Sequence, residues 1–219
     1  IYALETGRIH RVSQGLFNDF APEFSRDGRF LFFVSNRRFD PTYCDFEWEM
    51  VYKNVAGIYA LTLREDGLPL LPPLSDEVVA AKDVELHHEA VDEAPRVAID
   101  FEGIADRVEA LPVPASNYRD LAVGSYAIFF LDGDDGDYNR FEYRRLSPRT
   151  LYAFDLEGHE LWETPLEPHK VYLDFGSGAS PALHGDRLII LNDNEEDSFI
   201  AAFDTATGTS VDARPTSRP

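Results

Sequence analysis

The chain has one cysteine, one methionine and two tryptophans in 219 residues. With Cys44 alone, no intrachain disulfide can form, and a single thiol carries no compartment signal. No apolar run approaches the ~18 residues of a membrane span. No secretory leader pattern opens the chain, which begins at Ile1 inside a strand pattern without an initiator Met. That start predicts a fragment or a processed product. Positive charge is scarce: 20 Lys and Arg stand against 40 Asp and Glu, for a net charge of −20. Such a balance argues against phosphate backbones and anionic lipid as partners and predicts an acidic, soluble surface. No P-loop, dinucleotide fingerprint or G-x-S-x-G elbow occurs.

Aromatic residues are plentiful: 16 Phe and 10 Tyr join the two Trp. That load suits a packed core built from strands. The organising stretch is Leu151 to Trp162, LYAFDLEGHELW. Leu151, Ala153 and Asp155 fall on one face of a strand, and Tyr152, Phe154 and Leu156 on the other. Glu157-Gly158 supplies the turn, and His159 to Trp162 begins the return. The unit occurs three more times, as IYALETG from Ile1, IYALTLREDG from Ile58 and IAAFDTATG from Ile200. The starts are 57, 93 and 49 residues apart; if the 93 spans two repeats, the period is that of a β-propeller. The expected fold is all-β, in four-stranded antiparallel blades.

Taken in order, Ile1 to Val12 reads as a hairpin without the two strands that should precede it. Ala21 to Phe24, the turn Ser25-Arg26-Asp27-Gly28 and the apolar run Arg29 to Ser35 make the inner half of a blade, with Pro22 at a strand start. Arg37 to Asn54 is an aromatic loop. Its Phe39, Tyr43, Phe46, Trp48 and Tyr52 either line a peptide or partner surface or cover the edge of a neighbouring blade. Residues 68–95 form an insertion, proline-rich and then acidic. His87, His88 and Glu89 do not make HExxH, because Asp92 stands where the second His belongs. Arg96 to Val113 carries an outermost strand, and Pro112 and Pro114 mark a blade link. Leu121 to Leu131 gives two inner strands. Asp132 to Glu142 fails the EF-hand register, with Gly136 at the fifth place and Asp137 at the sixth. Ser25, Ser35, Ser177 and Ser180 are nucleophiles by type only. Asp27, Asp155, Asp186 and Asp204 sit beside turns and suit capping of backbone N–H groups. His10, His159, His169 and His184 are scattered. No catalytic, cofactor-binding or metal-ligating residue is assigned.

Two resemblances follow from these motifs. LFNDFAPEFSRDGRFLFFVSNRRFDPTYCDFEWEMVY, then GIYALTLREDGLPLLPP, then IDFEGIADRVEALPVPASNY resemble, in the family's order, the TolB-like propeller region of tricorn-type serine proteases over residues 1–123. The resemblance implies a non-catalytic scaffold or peptide-access gate. The PDZ and serine protease domains that follow such propellers in the family are not among these residues. YRRLSPRTLYAFDLEGHELWETPL and GSGASPALHGDRLIILNDNEEDSFIAAFDTATG resemble PQQ-like quinoprotein repeats over residues 143–211. Ala153, Asp155, Gly158 and Trp162 fit that repeat, and the resemblance implies that Trp162 packs between adjacent blades. In the last repeat Ala202, Asp204 and Gly208 fit, but Val211 stands near the Trp position. Many such propellers hold no quinone, and none is expected here. That half implies an alternative role, a scaffold for protein–protein interaction in the cell envelope; a funnel enzyme is a third reading. Both resemblances lean towards an extracytoplasmic setting.

The expected organisation is tricorn-like blades over 1–123, quinoprotein-like blades over 124–214 and a tail at 215–219. The best-placed core residues are Phe24, Leu31, Phe33, Ile128, Phe130, Leu188 and Ile190. The strand count is three and a half blades, below the usual four to eight. A partial propeller is therefore expected, belonging to a longer chain or pairing as a homodimer through exposed blade edges.

Overall fold

The computed structural model describes residues 1–38, 41–43, 50–52, 54–71, 97–133, 144–172, 181–193 and 198–216. Sixteen strands occur among them, with a single 3₁₀ turn, Ile104–Arg107. A short hairpin comes first, β1 (Tyr2–Ala3) with β2 (Arg8–Ile9). Blade 1 then takes β3 (Asp19–Phe24) and β4 (Phe30–Ser35). Its connection to the third strand carries a hairpin of its own, β5 (Pro41–Tyr43) with β6 (Met50–Tyr52). The blade is completed by β7 (Gly57–Thr62) and β8 (Val108–Ala110). Blade 2 is β9 (Tyr118–Val123), β10 (Ala127–Gly133), β11 (Arg144–Asp155) and β12 (Glu160–Tyr172). Blade 3 is β13 (Ala182–His184), β14 (Arg187–Asn192), β15 (Phe199–Asp204) and β16 (Ser210–Pro215). All three blades are antiparallel four-stranded sheets with strands in sequence order, as the repeat predicts. The first strands gather on one side, β3 against β9 and β9 against β13.

The period-2 pattern decides how the blades stack. Phe30, Phe32 and Val34 of β4, with Ile58 and Ala60 of β7, face blade 2. They meet Leu121, Val123, Ile128, Phe130 and Phe154 in one apolar layer. The intervening residues of blade 2 face the other way: Ala122, Phe129, Leu131, Leu151 and Ala153 meet Leu188, Ile190, Ala201 and Phe203 of blade 3. Tyr152, Phe154 and Leu156 thus lie against blade 1 and Leu151 and Ala153 against blade 3, the division read from LYAFDL. Strands β4 and β7 are buried along their whole length because both faces are covered. Strand β16 is exposed along its whole length.

Trp162 locks blade 2 to blade 3, as the quinoprotein resemblance implies. It is 9% exposed, its Nε1 donates to Thr205 O at 3.0 Å, and its ring stands 5.8 Å from that of Phe129. The indole lies on Gly208, where φ is +68° and any Cβ would fall 2.6 Å from Trp162 Cδ2. Glycine is required there twice over, by conformation and by space. Val211, at the corresponding place in the last repeat, is 45% exposed and makes no such lock.

Several expectations change. Phe24 is 41% exposed, not core. It faces the side of blade 1 on which Ile1, Val12, Ile99, Phe101 and Ile104 pack against Leu31 and Phe33, beside a cleft of about 820 Å³ that Leu31, Phe33 and Phe101 also line. Tyr2 and Leu4 of the β1–β2 hairpin are likewise exposed. Pro22 sits mid-strand, not at a strand start, where a bulge between Phe20 and Glu23 interrupts the ladder. The outermost strand of blade 1 is only three residues long, preceded by the 3₁₀ turn; Arg107 crosses to the carbonyls of Thr62, Leu63 and Asp100 and fastens it. Strands β11 and β12 run past Leu166 to Tyr172, beyond the end of β10 at Gly133, as a two-stranded ribbon. Asp27, Asp155 and Asp204 cap turn N–H groups as read, whereas Asp186 has its carboxylate on the adjacent Arg187.

The lock generates a stability prediction. Trp162→Ala should cost about 3–5 kcal/mol in urea unfolding. Gly208→Ala should cost about 2 kcal/mol or more through overpacking and a forced left-handed backbone. Val211→Ala should stay within about 0.5 kcal/mol. A Gly208→Ala protein as stable as the wild type would contradict the lock.

Candidate functional site

The candidate site is the rim at which β3 and β9 begin. Blades 1 and 2 each close this rim with a Ser–Asp clasp at their first and second strands. In blade 1 the fully buried Ser35 donates to Asp19 Oδ1 at 2.5 Å. In blade 2 the residues are exchanged, and Ser116 Oγ reaches both Asp132 oxygens at 2.7 and 2.8 Å. A main-chain bond beside each clasp repeats as well: Asn36 N donates to Asn18 O at 3.1 Å, and Gly133 N to Asn117 O at 3.2 Å. The two blades are joined at the same level by an antiparallel bridge between Ala56 and Ser116, with bonds of 3.0 and 3.1 Å. Beneath it, the Tyr118 ring meets Phe130 edge-on at 4.7 Å, and its hydroxyl donates to Pro114 O. Burial, with Asp132 nearby, pushes the Tyr118 phenol far above its ordinary range, so it stays a neutral donor.

Between these strands lies a cleft of about 430 Å³, lined by Asn18, Phe20, Asn36, Val55, Ala56, Asn117, Tyr118, Arg119 and Asp120. In blades 1 and 2 the connection that follows the second strand leaves from this end. One carries the β5–β6 hairpin; the other leads into the prolonged β11–β12 ribbon. Residue 38 closes the base of the first, Arg38 N donating to Val55 O at 3.0 Å.

Of the five aromatic residues read as a surface, Tyr43 lies in β5 and Tyr52 in β6, in a hairpin where the sequence suggested a loop. Tyr43 pairs in register with Met50, and Tyr52 with Pro41; Tyr52 is 44% exposed. Phe39, Phe46 and Trp48 lie outside the described residues, as do His87, His88, Glu89, the segment 134–142, Ser177 and Ser180. Among the described residues no group of three or more His, Cys, Asp or Glu side chains is placed to hold a metal ion. His10 stacks on Phe101 at 3.6 Å and His159 bonds Asp155 at 2.9 Å. The rim asparagines were missed by sequence reasoning. The signal was present in two aligned segments, Asn18 to Ser35 and Asn117 to Asp132, each with an Asn at the head of a first strand.

Arg37 secures blade 1 under the rim. Its Nε donates to Ser35 Oγ at 2.9 Å and its Nη2 lies 3.3 Å from Asp19, while the guanidinium stands 5.1–5.7 Å from the rings of Tyr59, Phe33 and Phe17. Burial alone would raise the Asp19 carboxyl, but hydrogen bonds from Ser35, Ser13 and Arg37, with the Arg37 charge, outweigh it and hold the carboxyl below its ordinary 3.8. A carboxyl depressed in the folded state stabilises above its unfolded pKa, and that stabilisation is lost as pH falls through the lowered folded value. Asp19→Asn should therefore destabilise the protein at about pH 6, and its stability should fall less than that of the wild type on acidification from about pH 5 to about pH 3. Urea titrations across that range check it; parallel curves for the two proteins would contradict the clasp.

No helix among the described residues is long and apolar enough to cross a membrane. A family model described as the tricorn protease second beta propeller domain matches residues 1–164, a span that runs through blade 1, the rim and most of blade 2. Tricorn protease homolog 1 of Streptomyces coelicolor is 31% identical over 125 residues, 52% of this chain and 11% of that protein. The tricorn protease homolog of Saccharolobus solfataricus is 28% identical over 166 residues, 71% of this chain and 14% of that protein. A crystal structure of the tricorn protease overlays with a TM-score of 0.60 at 16% identity, covering 99% of this chain and 19% of that one. The chain thus spans 11–14% of the length of these two relatives. With repeat, blade order and family model in agreement, the chain belongs to the family of tricorn protease second β-propeller domains.

Proposed function

We propose that this chain is a non-catalytic propeller module of a tricorn-like protease and serves it as a scaffold and peptide-access gate at the rim. The observation that carries the reading is the placement of the rim cleft: it opens at the end of the blades from which both ribbon-bearing connections leave. A cleft bordered by projecting ribbons selects by reach and shape and needs no catalytic group. The aromatic stretch Phe39, Tyr43, Phe46, Trp48 and Tyr52 is its contact surface, since aromatic rings supply large area at low conformational cost. The strong negative charge favours neutral or basic peptides over acidic ones.

The test is titration of a fluorescently labelled, unstructured decapeptide into the 219-residue chain. Saturable binding is expected, weakened about five- to tenfold by Tyr52→Ala, or about 1–1.4 kcal/mol. Tyr52 is exposed, so the substitution should leave the melting temperature in place. Absence of saturable binding by any peptide composition would overturn the reading.

A further inference from the structure

We infer that the rim cleft recognises the main chain of an extended peptide segment, whatever the charge of its side chains, through asparagine carboxamides. The inference rests on the peptide reading above and specifies which part of the peptide is read.

Two observations, made independently of that reading, converge on this cleft. The first is a repeat of amides. Asn18 and Asn117 hold equivalent places in successive blades, fixed by the same main-chain bond from a residue at the end of the second strand. Asn36 joins them in the lining. Asn117 Nδ2 donates to Asn54 Oδ1 at 3.2 Å, which sets the orientation of that carboxamide. Among the described residues, the Asn18 and Asn36 side chains form no hydrogen bond. The second observation is strain. The described residues include three non-glycine positions in the left-handed region: Ala21 (φ +49°), Asn54 (φ +51°) and Asp120 (φ +45°). All three belong to this junction. Ala21 and Asp120 each stand three residues after a rim asparagine, in first strands whose ladders shift register nearby. A backbone held in a costly conformation at the same place in two blades marks a shape that the site requires.

The chemistry of the ligand follows from the lining. A carboxamide presents two donors and one acceptor and carries no charge. It matches the N–H and C=O of a peptide unit and cannot discriminate among charged side chains. Arg119 and Asp120 bring opposite signs to the rim, so neither sign dominates there. Phe20, Val55 and Ala56 give the cleft an apolar floor on which an extended chain can lie. Asparagines repeated from blade to blade suit a ligand whose hydrogen-bonding groups also repeat, as those of an extended strand do.

The experiment is calorimetric titration of the 219-residue chain with three capped peptides in about 0.5 M salt, where long-range charge is screened. One is an uncharged heptapeptide with acetyl and amide ends. The second has alternate amides N-methylated, and the third carries Lys or Glu in place of its neutral side chains. The uncharged peptide should bind, and N-methylation should weaken it about tenfold or more. The charged versions should bind within about threefold of the uncharged one. Asn18→Ala and Asn36→Ala should each weaken binding about three- to tenfold with unchanged melting temperature. If the N-methylated peptide or the two Asn variants bind like their parents while Tyr52→Ala still weakens binding, the amide inference is overturned and the peptide reading stands. If no peptide binds the wild type, both fall.

Discussion

Everything in this molecule depends on the burial of one blade's face against the next. Each sheet is thin, and its two faces are both apolar, so no blade is a stable object by itself. Between blades 1 and 2 the contact is a layer of Phe30, Phe32, Phe130 and Phe154 with aliphatic neighbours; between blades 2 and 3 it is Phe129, Trp162, Leu188, Ile190 and Phe203. Each fully buried large side chain contributes about 1.5–3 kcal/mol relative to exposure. The blade-to-blade layers therefore outweigh any exposed ion pair, such as Arg64 with Asp66 or Arg214 with Asp212, whose attraction the solvent screens.

The rim rides on those layers. Tyr118 and Phe20 belong both to the apolar layer and to the lining of the rim cleft, so the same contacts that join blades 1 and 2 fix the relative positions of Asn18 and Asn117. The clasps Asp19–Ser35 and Ser116–Asp132 then tie each first strand to its second at that level. A binding surface assembled in this way is pre-formed, with little ordering left for a ligand to impose.

What the sequence revealed divides along physical lines. The blades were legible because period-2 alternation and glycine turns are local: LYAFDLEG announces two faces and a turn, and Gly158 adopts φ +86° as a turn glycine should. The stacking role of Trp162 was legible through the resemblance to quinoprotein repeats. Phe24 misled because alternation tells which face a residue takes and not how fully that face is covered. The β5–β6 hairpin was hidden in an aromatic stretch with no turn dipeptide. The rim site was not read at all, since Asn18, Asn36 and Asn54 become neighbours only through strand pairing within blade 1, and Asn117 joins them only through the stacking of blade 2. Polar residues at strand heads look like ordinary turn residues until their register is known.

Amide hydrogen exchange resolved by strand tests the central claim, that the inter-blade layers hold the structure and the rim upon them. If they do, the amides of β10 and the adjoining residues of β4 and β11, covered on both sides, exchange only by global unfolding. Those of β1, β2 and β16 exchange faster by local opening. The contradictory result would be protection in β16 or in the β1–β2 hairpin equal to that in β10, which would mean that the blades are held by something other than their mutual burial.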